Sequence, residues 1–148
     1  MPIKCQEHFK VENYELSKIL GKDKKQRKNG SKVQIELCGQ EAIFSMESLL
    51  VDPDEVVRGD ELETYVEAEP FGDIYVHTLD VDVRQLSMQI FEESLPLIEF
   101  IPAGESFEID YDYTIPSDLG PGPVDITFKV KNDLFTELIC IKVSFTLE

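Results

Sequence analysis

An all-β fold, a sandwich or barrel of short antiparallel strands, is what this sequence predicts, and three observations predict it. The last third of the chain alternates apolar and polar residues with a period of two. Clusters of glycine and proline interrupt the chain at short intervals, and no stretch carries a convincing helical period. Each alternating run collects β-branched and aromatic side chains on one face, as a strand with one buried side requires.

Residues 1–32 read as a basic N-terminal extension or linker, distinct from a single strand-rich domain over residues 33–148. They hold nine Lys or Arg against four Asp or Glu, whereas the remainder holds five against 26. Phe9, Val11, Tyr14, Leu16, Ile19 and Leu20 fit neither a helix nor a strand, and Gly21 to Lys32 is polar with no apolar period. Asn29-Gly-Ser31 is formally a glycosylation sequon and equally a plain turn signal.

From Val33 the chain is strand-like almost without a break. Ile43 to Val51 is apolar on both sides and stops at Asp52-Pro-Asp-Glu55. Arg58-Gly-Asp60 makes the next turn, and Leu62 to Ala68 alternates until Pro70 and Gly72 halt it. Ile74, Val76, Leu79, Val81 and Val83 predict a further strand, with His77, Asp80, Asp82 and Arg84 interleaved. Leu86 to Phe91 and Leu97 to Ile101 are two apolar segments on either side of Glu92 to Pro96. Three alternating strands close the chain: Glu105 to Ile115, Val124 to Val130, and Ile139 to Leu147. Between the first two of these, Gly120 and Gly122 permit positive φ while Pro116, Pro121 and Pro123 end the ladder.

Several function classes find no support. A net charge of −16 places an acidic body against any phosphate backbone, so no nucleic acid partner is expected. No nucleophile elbow, zinc-protease helix, Cys-x-x-Cys or phosphate-cradling glycine loop occurs. His8 and His77 are far apart and lack metal-ligand spacing. Asp52, Asp54 and Glu55, or Asp80 and Asp82, are of a type that binds calcium, but alternating carboxylates also make an ordinary solvated strand face. Asp110 and Asp112 share one face of one strand and do not bracket a substrate bond. The chain is therefore expected to be no enzyme, with no catalytic residue, metal or cofactor. No window of about 18 apolar residues exists to span a membrane as a helix. Residues 1–20 lack the apolar core of a signal peptide, so Met1 is expected to begin a cytosolic protein or an already trimmed one.

Five phrases, in their order and spacing, carry a resemblance. They are Ile35-Glu-Leu-Cys-Gly39 before an apolar strand, Leu49 to Leu62, Pro102-Ala-Gly-Glu105, Ile115 to Gly122, and Glu137-Leu-Ile-Cys-Ile141. Together they resemble the ML lipid-recognition domain over residues 35–148, nearest to its phosphatidylglycerol/phosphatidylinositol-transfer and lysosomal sterol-transfer branches. The resemblance implies an immunoglobulin-like sandwich of two antiparallel sheets, with about seven strands and an apolar cavity between the sheets. It implies non-enzymatic binding and transfer of a phospholipid or sterol, transient contact with a membrane surface, and a monomer. It also implies a Cys38–Cys140 disulfide and a secreted or lumenal location, in endosome, lysosome or vacuole. Cys140 suits that pairing, being out of phase with the apolar Ile139, Ile141 and Val143. The second, short-range disulfide of several members is missing, and Cys5 is left over, which suits a cytosolic chain better.

The physical logic of such a site is simple. A sandwich fills its gap with interdigitated side chains, whereas sheets held apart line a dry cavity, where each lipid methylene gains about 0.8 kcal/mol. Candidates for the lipid-binding lining are Phe44, Met46, Leu49, Leu62, Val66, Phe100, Phe107, Ile109, Tyr111, Ile126, Phe128 and Val143. Met88, Ile90, Phe91 and Leu95 to Ile98 form a less regular apolar stretch that suits either the pocket mouth or an inner strand. Two alternatives remain: an adhesion-like interaction module in which every one of these residues is plain core, or a cytosolic sandwich that shields a lipid or prenyl group.

Overall fold

The computed structural model describes residues 30–39 and 43–148, and all regular structure in them is β. Ten strands follow in chain order: β1 (Ser31–Lys32), β2 (Gln34–Leu37), β3 (Phe44–Asp52), β4 (Glu55–Val56), β5 (Glu61–Pro70), β6 (Ile74–Gln85), β7 (Met88–Ile101), β8 (Phe107–Thr114), β9 (Gly122–Lys131) and β10 (Glu137–Leu147). A five-stranded sheet in the order β2-β10-β9-β6-β7 packs on a three-stranded sheet in the order β3-β5-β8, while β1 and β4 pair as a small ribbon. Every ladder is antiparallel. The expected all-β, immunoglobulin-like sandwich is the observed one. The basic extension expected over 1–32 lies, apart from Gly30 to Lys32, outside the described residues.

β9 and β10 lie inside the five-stranded sheet, each with one fully apolar face. On β10, Ile139, Ile141, Val143, Phe145 and Leu147 are all buried, and on β9 so are Val124, Ile126, Phe128 and Val130. The two strands lie in register as neighbours, Ile141 opposite Phe128 and Val143 opposite Ile126, so both apolar rows meet the same core.

Two elements differ from a plain period of two, each for a visible reason. β3 reads as apolar on both sides because a bulge between Met46 and Ser48 resets its phase. Phe44 and Met46 precede the bulge and Leu49 and Val51 follow it, yet their partners Pro70, Ala68, Val66 and Thr64 are all buried positions of one face of β5. The two apolar segments expected around Glu92 to Pro96 are instead one strand, β7, running through Pro96. β7 is an edge strand, so the amide that proline lacks interrupts no ladder on its outer side.

The two seams of the sandwich are closed differently. Along one, the β1–β4 ribbon stitches the sheets together, since β1 leads into β2 of one sheet and β4 follows β3 of the other. The Val33 amide donates to the Asp54 carbonyl at 2.9 Å in the same place. Within the five-stranded sheet, a disulfide ties Cys38, at the end of the edge strand β2, to Cys140 of β10, with Cα atoms 4.9 Å apart. Arg58, in a turn where Gly59 takes φ 88°, donates to the carbonyls of Leu119 and Glu148. Along the opposite seam β7 and β8 are joined by no ladder. The connection 102–106 links them at one end, where the Gly104 amide donates to the Pro70 carbonyl, and between the strands themselves side chains close the seam.

Candidate functional site

The core between the sheets is apolar, Thr64 being the one buried polar side chain among the described residues. At its middle lies a cavity of about 10 Å³, lined by Thr64 and Val66 of β5, Leu79 of β6, Ile109 and Tyr111 of β8, Phe128 and Val130 of β9, and Ile139 and Ile141 of β10. That volume suits about one water-sized body, whereas a small-molecule pocket occupies about 300–1,000 Å³. The expected cavity is present but nearly filled, because aromatic rings cross the gap. Tyr111 of one sheet meets Phe128 of the other edge-on, ring centres 5.7 Å apart.

Of the twelve candidate lining residues, Val66, Ile109, Tyr111 and Phe128 border this cavity. Phe44, Leu49, Leu62, Phe107, Ile126 and Val143 are buried in the same core, and Met46 packs against it half-buried. Phe100 does not join them: it is 58% exposed. Thr64, Leu79, Val130, Ile139 and Ile141 also line the cavity and are not among the candidates. Their inward alternation was readable, but alternation marks the buried face and not the layer at which the sheets leave a gap.

Directly outside the cavity is the β7–β8 seam. On β7, Phe91, Glu93 and Leu95 stand opposite Val83, Val81 and Leu79, three buried residues of β6, so their side chains share the core face. The Phe91 ring packs on Tyr113 at 5.4 Å. Beside it the Tyr111 hydroxyl donates to Glu93 Oε1 at 2.5 Å. Burial first, and then the Glu93 carboxylate, push the pKa of Tyr111 well above that of a free phenol, so it stays a hydrogen-bond donor. A carboxylate on the core face of an edge strand is thus satisfied by a phenol from the opposite sheet. Nothing in the alternation of Met88 to Ile101 foretold this pair.

The charged groups elsewhere have other partners. Asp80 and Asp82 lie on the outer face of the five-stranded sheet. Burial there opposes their ionisation, but Ser94 and Lys131 hold Asp80, and Gln89 and Arg84 hold Asp82, below the usual carboxylate range. Two open hollows on the outside, about 350 and 430 Å³, are lined mainly by polar and charged groups, the second of them beside the disulfide. On the outer face of the three-stranded sheet, Glu63, Asp110 and Asp112 bring carboxylate oxygens within 4.8 Å of one another. A hydrogen bond with Asp110, then burial, then repulsion from Asp110, Asp112 and Asp52 raise the pKa of Glu63. The folded state therefore holds the Glu63 proton more tightly than the unfolded chain, and stability falls as pH rises through the raised value. Glu63→Gln is expected to raise stability near neutral pH by about 0.5 kcal/mol, the scale of exposed charge pairs. The gain should vanish below about pH 4, where the acid itself is protonated; urea titrations at the two pH values check it.

No protein-family model matches the sequence, and no match is found among curated proteins. Among solved structures, the chain is similar to a Niemann-Pick type C2 protein from Japanese carpenter ant, with TM-score 0.56 and 14% identity over 78% of this chain and 99% of that one. It is also similar to chicken MD-1 in complex with lipid IVa, with TM-score 0.52 and 14% identity over 83% of this chain and 94% of that one. Both are ML-domain proteins, and at such identity the likeness is one of fold. It is the fold that the five sequence phrases resemble.

Proposed function

We propose that this chain, a sandwich with the ML fold, is a non-enzymatic lipid-binding protein that takes hydrocarbon between its sheets and carries it between membranes. The observation that supports this best is the asymmetry of the two seams. Two apolar inner faces meet at a small cavity; on one side the β1–β4 ribbon carries a backbone ladder from one sheet to the other, whereas on the other no ladder joins β7 to β8. Parting β7 from β8 breaks the Tyr111–Glu93 hydrogen bond and the Phe91–Tyr113 ring contact and uncovers core-packed side chains such as Leu95 and Leu97, but breaks no ladder. Each methylene that follows gains about 0.8 kcal/mol, so a chain of ordinary length offsets the loss. The fold also holds a lipid in the MD-1 complex. The Cys38–Cys140 bridge favours an oxidising, secreted or lumenal compartment. A phospholipid or sterol as cargo, transient membrane contact and a monomeric state belong to the same proposal.

The smallness of the cavity favours a second reading, an interaction module whose core is simply full. One experiment separates the two: native mass spectrometry of the protein after incubation with mixed liposomes, paired with lipid extraction. The lipid-binding reading expects an added mass that matches an extracted lipid. A bare polypeptide mass after that incubation leaves the interaction module standing.

A further inference from the structure

Resting on the lipid-binding reading, we infer that the β7–β8 mouth selects lipids whose head donates hydrogen bonds and carries no negative charge, a hydroxyl or an amine, and turns away anionic heads. Hydrocarbon entering the cavity through this seam leaves its head at the rim, where the polar groups on the core side include the Glu93 carboxylate and the Tyr111 hydroxyl. A carboxylate offers about four acceptor sites, and the phenol occupies one. When the seam parts and the phenol leaves, a hydroxyl or amine head can take its place on the Glu93 carboxylate. A phosphate or carboxylate head has no proton to give Glu93 and brings a second negative charge beside it, so of the two cargo classes proposed above this mouth suits a sterol better than a phospholipid.

The surrounding charge points the same way. β7 carries Glu92, Glu93 and Glu99, β8 carries Glu108, Asp110 and Asp112, and neither strand has a Lys or Arg. The five Lys and Arg of residues 33–148 lie elsewhere. Arg84 pairs with Asp82, Lys129 with Glu137 and Lys131 with Asp80, all on the outer face of the five-stranded sheet. Lys142 borders the hollow on that same face, and Arg58 is held by backbone carbonyls at the ribbon end. Recognition of an anionic head normally uses Arg or Lys forks. Among the described residues the mouth has none.

Oleyl alcohol, oleylamine and oleate share one hydrocarbon chain and differ only in the head. Each is to be titrated below its aggregation limit against the delipidated full-length protein, by displacement of an uncharged fluorescent acyl probe. The expected result is that alcohol and amine each bind at least about tenfold more tightly than oleate, a difference of about 1.4 kcal/mol. An amine ahead of the alcohol assigns the preference to charge pairing, and equal affinities assign it to hydrogen-bond acceptance. Glu93→Gln should bring the amine down to the alcohol and narrow the penalty on oleate. Glu93→Lys should put oleate first. Oleate binding as tightly as the alcohol to the unaltered protein overturns the inference but leaves the lipid-binding reading intact. Failure of the acyl probe and all three ligands to bind overturns that reading itself.

Discussion

Replacing both Cys38 and Cys140 with serine is expected to cost about 4–5 kcal/mol of folding stability in the chain-entropy account of a cross-link. The bridge closes a sequence separation of 102 residues, which makes it nearly as effective as one disulfide can be in this chain. Its position adds to the loss. β2 is a short edge strand whose ladder to β10 comprises four residue pairs, and the Cys38 amide donates to the Cys140 carbonyl just beyond them. Without the bridge this strand and the neighbouring ribbon can fray together, and the stitched seam loosens. Against a typical stability of about 5–15 kcal/mol, the double variant should be close to unfolding at body temperature. Urea unfolding of the two proteins, both carrying Cys5→Ser so that no free thiol exchanges, measures the difference. A loss below about 1 kcal/mol would mean that the β2–β10 ladder, not the disulfide, holds this edge of the sheet.

Phe128→Ala should be nearly as damaging and should reveal the cavity as well. Phe128 sits on β9 between β10 and β6, faces Tyr111 across the gap and lines the cavity. Truncating a buried phenylalanine costs about 3–5 kcal/mol, part of it for the void left behind. Here that void joins space already present, so a short alkane or fatty alcohol should restore much of the lost stability by binding it. Ile126→Ala is the control. Ile126 is two residues earlier on the same buried face but does not line the cavity. It should cost about 2–5 kcal/mol and gain little from the same additive. Melting temperatures of both variants with and without the alkane make the comparison. Equal rescue of the two would show that the cavity has no special standing in the core.

The sandwich was legible in the sequence because its strands bury one face and expose the other. β5, β8, β9 and β10 alternate so strictly that Leu62, Phe107, Ile126 and Val143 could be placed inside without any three-dimensional information. The pairing of Cys38 with Cys140 followed from the resemblance and is present. What escaped was set by contacts that no local pattern encodes. The bulge in β3 depends on its pairing with β5. The continuity of β7 through Pro96 depends on its being an edge, which topology and not composition decides. Phe100 looks like any inward aromatic until its strand's pairing leaves it outside. Glu93 looks like a solvated acid until Tyr111 reaches it from the other sheet. Strand faces are local properties; seams and cavities are properties of two sheets together.

The central claim is that hydrocarbon lies between the sheets. Intermolecular NOEs between an unlabelled bound lipid and methyl-labelled protein test it without altering a residue. Contacts are predicted from acyl methylenes to the methyl groups of Val66, Ile109, Ile139 and Ile141, which line the cavity, with loss of the Tyr111–Glu93 hydrogen bond as the seam parts. Contacts confined to exposed methyl groups such as those of Ile98 and Leu134, or none from a lipid shown to bind, would contradict the account and place the lipid on the surface of a closed sandwich.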